Sequence, residues 1–208
     1  EMCIRDRSSL GINNNDDILI YDNSDLKSSC RLWFSLLYFG HDEKKIHILN
    51  GGLKKWIFEN KPITKLTTEI IKSNYVTNEK KNLVVSFDQI KKNILSKSFN
   101  VIDARSLERF EGKVSEPRKG LRSGHIQDSF CLPFNQCINQ KTGEFKNLEE
   151  LRELFNQNEN IEKRLDQVFT CGSGVTAAVL AYAYKMVNND YIPKIYDGSW
   201  SEYGKYPA

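Results

Sequence analysis

One cysteine sits where its neighbours could change its chemistry. In Thr170-Cys-Gly-Ser-Gly-Val-Thr176 it follows the run Gln167–Thr170, which reads as a buried strand, and precedes the apolar run Val175–Val187, which reads as a helix. A loop leaving the carboxyl end of a strand in a parallel sheet is a common ligand position. Gly172 and Gly174 allow the backbone to curl so that N–H groups point inward. With the helix N-terminus that follows, these groups make a cradle for an anion. A thiol held there is expected to ionise more easily than a free one, giving a nucleophile. The plainer alternative is a structural cysteine beside a glycine-rich turn, so the loop needs support from the rest of the chain.

Short β-branched runs alternate with helical patterns throughout. Strands are expected at Ile18–Tyr21, Ile46–Leu49, Leu83–Val85, a run ending at Asp103, Gln167–Thr170 and Lys194–Tyr196. Helices are expected over Ser28–Phe39, from Gly51-Gly52 through Trp56, and over Phe87–Leu95, Asn147–Gln157 and Val175–Val187. Such alternation implies an α/β fold with a mainly parallel sheet flanked by helices. The segments Ile18–Pro62 and Gln167–Pro207 share one layout: strand, loop, apolar helix, strand, Gly and a short aromatic helix. Asp22 then takes the place of Cys171. Two related domains in tandem follow: residues 8–62 as the C-terminal part of a non-catalytic domain, 63–82 as a polar linker, and 83–208 as the catalytic domain. The first domain is expected to be incomplete. Glu1–Arg7 fit no pattern and are set aside as a cloning or assembly scar.

Several motifs now stand in register: Asp103-Ala-Arg105, Gly124-His-Ile126, Cys171-Gly-Ser-Gly-Val-Thr176 and Asp197-Gly-Ser-Trp-Ser-Glu202, with Gly51-Gly-Leu53 before Trp56 in the first half. Together they resemble the 3-mercaptopyruvate sulfurtransferases, the branch of the tandem rhodanese family with a Cys-Gly-Ser-Gly-Val loop. The resemblance implies a rhodanese-like fold and a persulfide on Cys171. Sulfur would come from 3-mercaptopyruvate and pass to thioredoxin, another thiol or cyanide, with no cofactor. It implies that Arg109 and Arg118 bind the substrate, a task suited to guanidinium forks. Gly172, Gly174, Val175 and Thr176 would complete the substrate loop, and Ser173 would handle a proton. The family pairs that serine with a histidine and an aspartate upstream of anything visible here. Arg105 and Asp103 are expected to be structural, as is His125. Trp200 and Tyr203 are expected in the core or pocket wall.

Composition sets the outer limits. The 208 residues carry 30 basic and 27 acidic side chains and a net charge of +3, with both signs dispersed. No basic stripe suggests nucleic-acid binding, and no apolar run approaches the ~18 residues of a membrane span. Five cysteines without a metal-type pair suggest a reducing compartment, the cytoplasm. Cys131 and Cys137 flank Pro133 and read as core or edge residues, Cys30 lies well into the first-domain helix, and His41 and His47 have no ligand geometry. Thiosulfate is the rival donor, but that branch puts basic residues directly after its cysteine, where Gly172 and Ser173 are neutral. Related phosphatase chemistry needs an arginine at the position of Ala177. A third reading is an inactive fragment serving as an interaction module.

Overall fold

The computed structural model describes residues 4–157, 161–162 and 164–206. Glu1–Cys3 and the Pro207 and Ala208 that close the second repeat and its domain lie outside the described residues. The first part of the chain holds α1 (Ile4–Ser9), β1 (Ile18–Ile20), α2 (Ser29–Tyr38), β2 (Ile46–Ile48) and α3 (Gly52–Phe58). Strands β1 and β2 form a two-stranded parallel sheet. The second part holds β3 (Val84–Val85), α4 (Phe87–Ser96), β4 (Phe99–Asp103), α5 (Leu107–Phe110), β5 (Phe130–Cys131), α6 (Leu148–Asn156), β6 (Asp166–Thr170), α7 (Ala177–Val187), β7 (Lys194–Tyr196) and α8 (Ser199–Tyr203). Its five strands run parallel in the order β3-β7-β6-β4-β5.

Local chemistry explains several of these boundaries. Ser86 and Gln89 form a reciprocal capping box at the start of α4, and Asn147 with Glu150 does the same for α6. Strands β4 and β6 are buried over four of their five residues and meet at the apolar pairs Val101-Ile102 and Val168-Phe169, as a central parallel strand requires. One face of the sheet packs under α6 and α7, and its core continues into the first sheet through Ile20, Trp33 and Ile46. The Trp33 ring meets Tyr182 edge-on at 5.0 Å. The opposite face holds a smaller cluster, including Val85, Ile90, Val101 and Trp200.

Two sequence expectations need correction. Arg7, set aside with the N-terminal residues, is fully buried, and its guanidinium lies 4.3 Å from the Phe39 ring centroid. A cation stacked on aromatic faces is paired in a way that no periodicity reveals. Residues 63–82 are not linker throughout. The stretch 63–72 is exposed, but Tyr75 is buried against His41, and Asn78 and Lys80 bond the backbone of Phe39 and Tyr38. Between Asp103 and Gly124 the chain also forms α5, a single helical turn that carries Arg109.

Candidate active site

Strand β6 delivers Cys171 to the carboxyl edge of the sheet, and α7 begins six residues later. The cysteine is 2% exposed. The backbone N–H of Ser173 points at its sulfur, 3.4 Å away, and this one donor stands where a fan of N–H groups was expected. The loop is pinned to α8: Trp200 N–H donates to the Cys171 carbonyl and Ser201 N–H to that of Gly172, each at 2.9 Å. Ser199, fully buried with φ 51°, accepts the Cys171 N–H on its hydroxyl and donates to the Tyr196 carbonyl.

Gly174 is the position in this loop where glycine is required. Its φ is +78°, and a Cβ there would lie 2.5 Å from Asp197 Oδ1. That carboxylate is held by Arg31, which reaches across from α2 and also donates to the Gly174 carbonyl at 3.5 Å. Nothing in the sequence marked Arg31, because its partners lie more than 140 residues away.

Both arginines singled out from the sequence come to the loop. A Cβ placed on Gly172 would lie 3.1 Å from Arg109 Nη2 and 3.7 Å from Arg118 Nη1. Arg118 is exposed and donates to the Gly172 carbonyl at 3.3 Å. Arg109 is held by Glu116, through Nε at 3.2 Å and Nη2 at 2.5 Å. Glu116 also takes Arg105 Nη1 at 2.8 Å, and Arg105 in turn forks onto Asp103 and donates to the Gly124 carbonyl. The side chains of Asp103, Arg105 and Glu116 are at most 2% exposed. Glu116 went unnoticed in the sequence, where it looks like one more charge in a polar loop. The signal was its place beside Pro117 and Arg118, within reach of a buried Asp-x-Arg.

The remaining candidates fall into place. Ser173 is half-buried at the turn of the loop. Val175 and Thr176 are half-buried, and their carbonyls accept the first N–H groups of α7. His125 donates to the Phe110 carbonyl and stacks on the Phe110 ring at 4.0 Å. His41 is buried between Tyr75 and the Asp16 carbonyl, while His47 faces Asp17. Trp200 is buried, with the guanidinium groups of Arg105 and Arg122 over its ring. Burial pushes the Cys131 and Cys137 thiols up to about 12, and Cys30 too is raised, by burial and then by Asp22. Among the described residues, no group of three or more His, Cys, Asp or Glu side chains is placed to hold a metal, and no helix is long and apolar enough to cross a membrane. A cavity of about 760 Å³ lies elsewhere, between α3 and residues 134–143, and neither Cys171 nor the two arginines line it.

In the first half, the Asp22 carboxylate accepts the N–H of Ser24, two residues on, as the Cys171 sulfur accepts that of Ser173. A second N–H, from Ser29, donates to Asp22 at 2.6 Å. The side chain in the corresponding place is a carboxylate, which has no sulfur to offer.

The rhodanese-like domain model matches residues 3–59 and again 86–206. Among curated relatives, the thiosulfate/3-mercaptopyruvate sulfurtransferase 2 of Arabidopsis thaliana is 38% identical over 96% of the chain. The human 3-mercaptopyruvate sulfurtransferase is 35% identical over 93%. The chain spans 63% and 64% of these two proteins' lengths. Among solved structures, the Tum1 protein of Saccharomyces cerevisiae superposes with a TM-score of 0.84 at 26% identity, over 95% of this chain and 69% of that one. The Escherichia coli SseA structure, described as a 3-mercaptopyruvate sulfotransferase with the rhodanese fold, gives 0.79 at 30% identity, over 94% and 71%. With both stretches of the chain matched, and a parallel sheet presenting the cysteine loop against α8, the chain belongs to the rhodanese family.

Proposed function

We propose that this chain moves sulfur from 3-mercaptopyruvate through a persulfide on Cys171 to a thiol acceptor such as thioredoxin, or to cyanide. The observation that carries this reading is the convergence of Arg109 and Arg118 on Gly172, next to the cysteine. A carboxylate beside a carbonyl fits two such guanidinium groups. The Cys171 thiolate attacks the substrate sulfur, and the carbon–sulfur bond breaks with its electron pair left on carbon. The proton from the substrate thiol ends on that carbon, giving pyruvate and a persulfide anion. Ser173, at the turn, is assigned to this proton movement. The residues after Cys171, Gly172 and Ser173, are uncharged, which favours a carboxylate donor over the thiosulfate dianion. Residues up to 62 form the half without a nucleophile, and Val175 and Thr176 complete the loop that cups the substrate. A reducing compartment suits a free thiol. The cytoplasm remains the expectation, although one Arabidopsis relative is named mitochondrial.

The test is peptide mass spectrometry after incubation with 3-mercaptopyruvate or thiosulfate. A sulfur atom should appear on the Cys171 peptide, and faster with 3-mercaptopyruvate. Sulfur on Cys30, Cys131 or Cys137 with Cys171 bare would sink the assignment.

A further inference from the structure

The cations around the Cys171 loop are not equally available to a substrate. Arg31 is paired with Asp197, Arg105 with Asp103 and Glu116, and Arg109 with Glu116. Arg118 has no carboxylate partner among the described residues and donates only to the Gly172 carbonyl. Four guanidinium groups therefore face three carboxylates, and one positive charge is left over at the loop.

Glu116 is the member of this set that needs explaining. Its neighbours Ser115 and Pro117 are exposed, yet its own side chain is 2% exposed. Sinking a carboxylate from a surface loop is costly unless paired charges offset it. The offset comes from two guanidinium groups that approach from different elements, Arg105 after β4 and Arg109 on α5. Arg105 would keep Asp103 and the Gly124 carbonyl without it. Arg109 would lose both of its side-chain hydrogen bonds, since each goes to Glu116. The carboxylate thus serves Arg109 above all, fixing one edge of its fork and cancelling its charge where it meets Gly172.

We propose that Glu116 is a specificity-determining residue that limits the loop to one net positive charge and so selects donors with a single negative charge over dianions. This rests on the sulfur-transfer reading above and deepens it. The carboxylate of 3-mercaptopyruvate matches one uncompensated cation, whereas thiosulfate brings two negative charges. Cys171 and Glu116 are buried, and charge beside buried groups is screened less than at the open surface, so the balance sets preference.

The experiment replaces Glu116 with glutamine, which keeps the shape and removes the charge. In Glu116→Gln the efficiency ratio of thiosulfate to 3-mercaptopyruvate should rise roughly tenfold. A second readout needs no turnover: the alkylation rate of Cys171 by iodoacetate, an anion, relative to neutral iodoacetamide, should rise severalfold. Arg118→Gln, which removes the unbalanced cation, should move both ratios the opposite way, and it decides the matter if Glu116→Gln does not fold. Unchanged ratios in the folded variants overturn the inference. If neither donor loads Cys171 in the unaltered chain, the sulfur-transfer reading fails separately. The alkylation ratios then still decide whether Glu116 sets the charge seen by anions at this cysteine.

Discussion

Three of the four described cysteines sit where a thiolate is hard to form. Burial raises Cys30, Cys131 and Cys137, while Cys171 receives a backbone N–H on its sulfur and has two arginines beside it. The arginines divide the work. Arg118 is exposed and carries an uncompensated charge, while Arg109 is clamped by Glu116. Each should supply a charge-assisted hydrogen bond to the donor, on the order of 1.5–3 kcal/mol. Arg109→Ala and Arg118→Ala are expected to lower kcat/KM by roughly ten- to a hundredfold. Thermal unfolding should separate them: Arg118→Ala leaves Tm in place, since exposed pairs contribute little. Arg109→Ala lowers it, because Glu116 loses one of its two partners. Unchanged kinetics in both would remove them from the substrate site. At this scale the sequence was readable where a residue acts on its near neighbours, as with Cys171 and its glycines. It was opaque for Glu116, whose meaning depends on burial.

Elements with a strong pattern were readable as well. The caps of α4 and α6 and the long apolar face of α7 announce themselves, because their causes are local. Short elements do not. Strand β5 is two residues long next to Pro133, and α5 is four, so neither has a period to detect. Strand β5 owes its conformation to pairing with β4, and α5 carries the Arg109 that Glu116 clamps. The cysteine loop itself depends on a meeting of elements, since α8 pins its carbonyls and Asp197 fills the space beside Gly174. Gly174→Ala should therefore be severe. Its φ of +78° disfavours a side chain, and the Cβ would press on Asp197. We expect a loss of about 1–3 kcal/mol in stability, read by denaturant titration, with sulfur loading of Cys171 slowed at temperatures where the variant stays folded. Full loading at the unaltered rate would show that the loop tolerates a different path.

Over the whole molecule the two sheets share one core, and that core contains thiols. A thiol whose folded pKa lies above its unfolded value of ~8.5 gives stability that is complete below that value. The stability is lost as pH rises toward the folded value, about 12 for Cys131 and Cys137. The melting temperature should thus fall as pH rises above ~8.5, and Cys137→Ala should flatten part of the slope while lowering the starting point. An unaltered slope in that variant would assign the alkaline loss to other groups. The layout shared by Ile18–Pro62 and Gln167–Pro207 predicts two related halves, but it does not show how they lock together, because Arg31 and Asp197 lie far apart in the sequence. That contact gives residue 31 an unusual heredity. It belongs to the half whose matching position is an aspartate, yet changes there are felt at Gly174 and Asp197. In a library of variants scored for chemistry at Cys171, position 31 would rank with the far half of the chain, so the silent half is not free to drift.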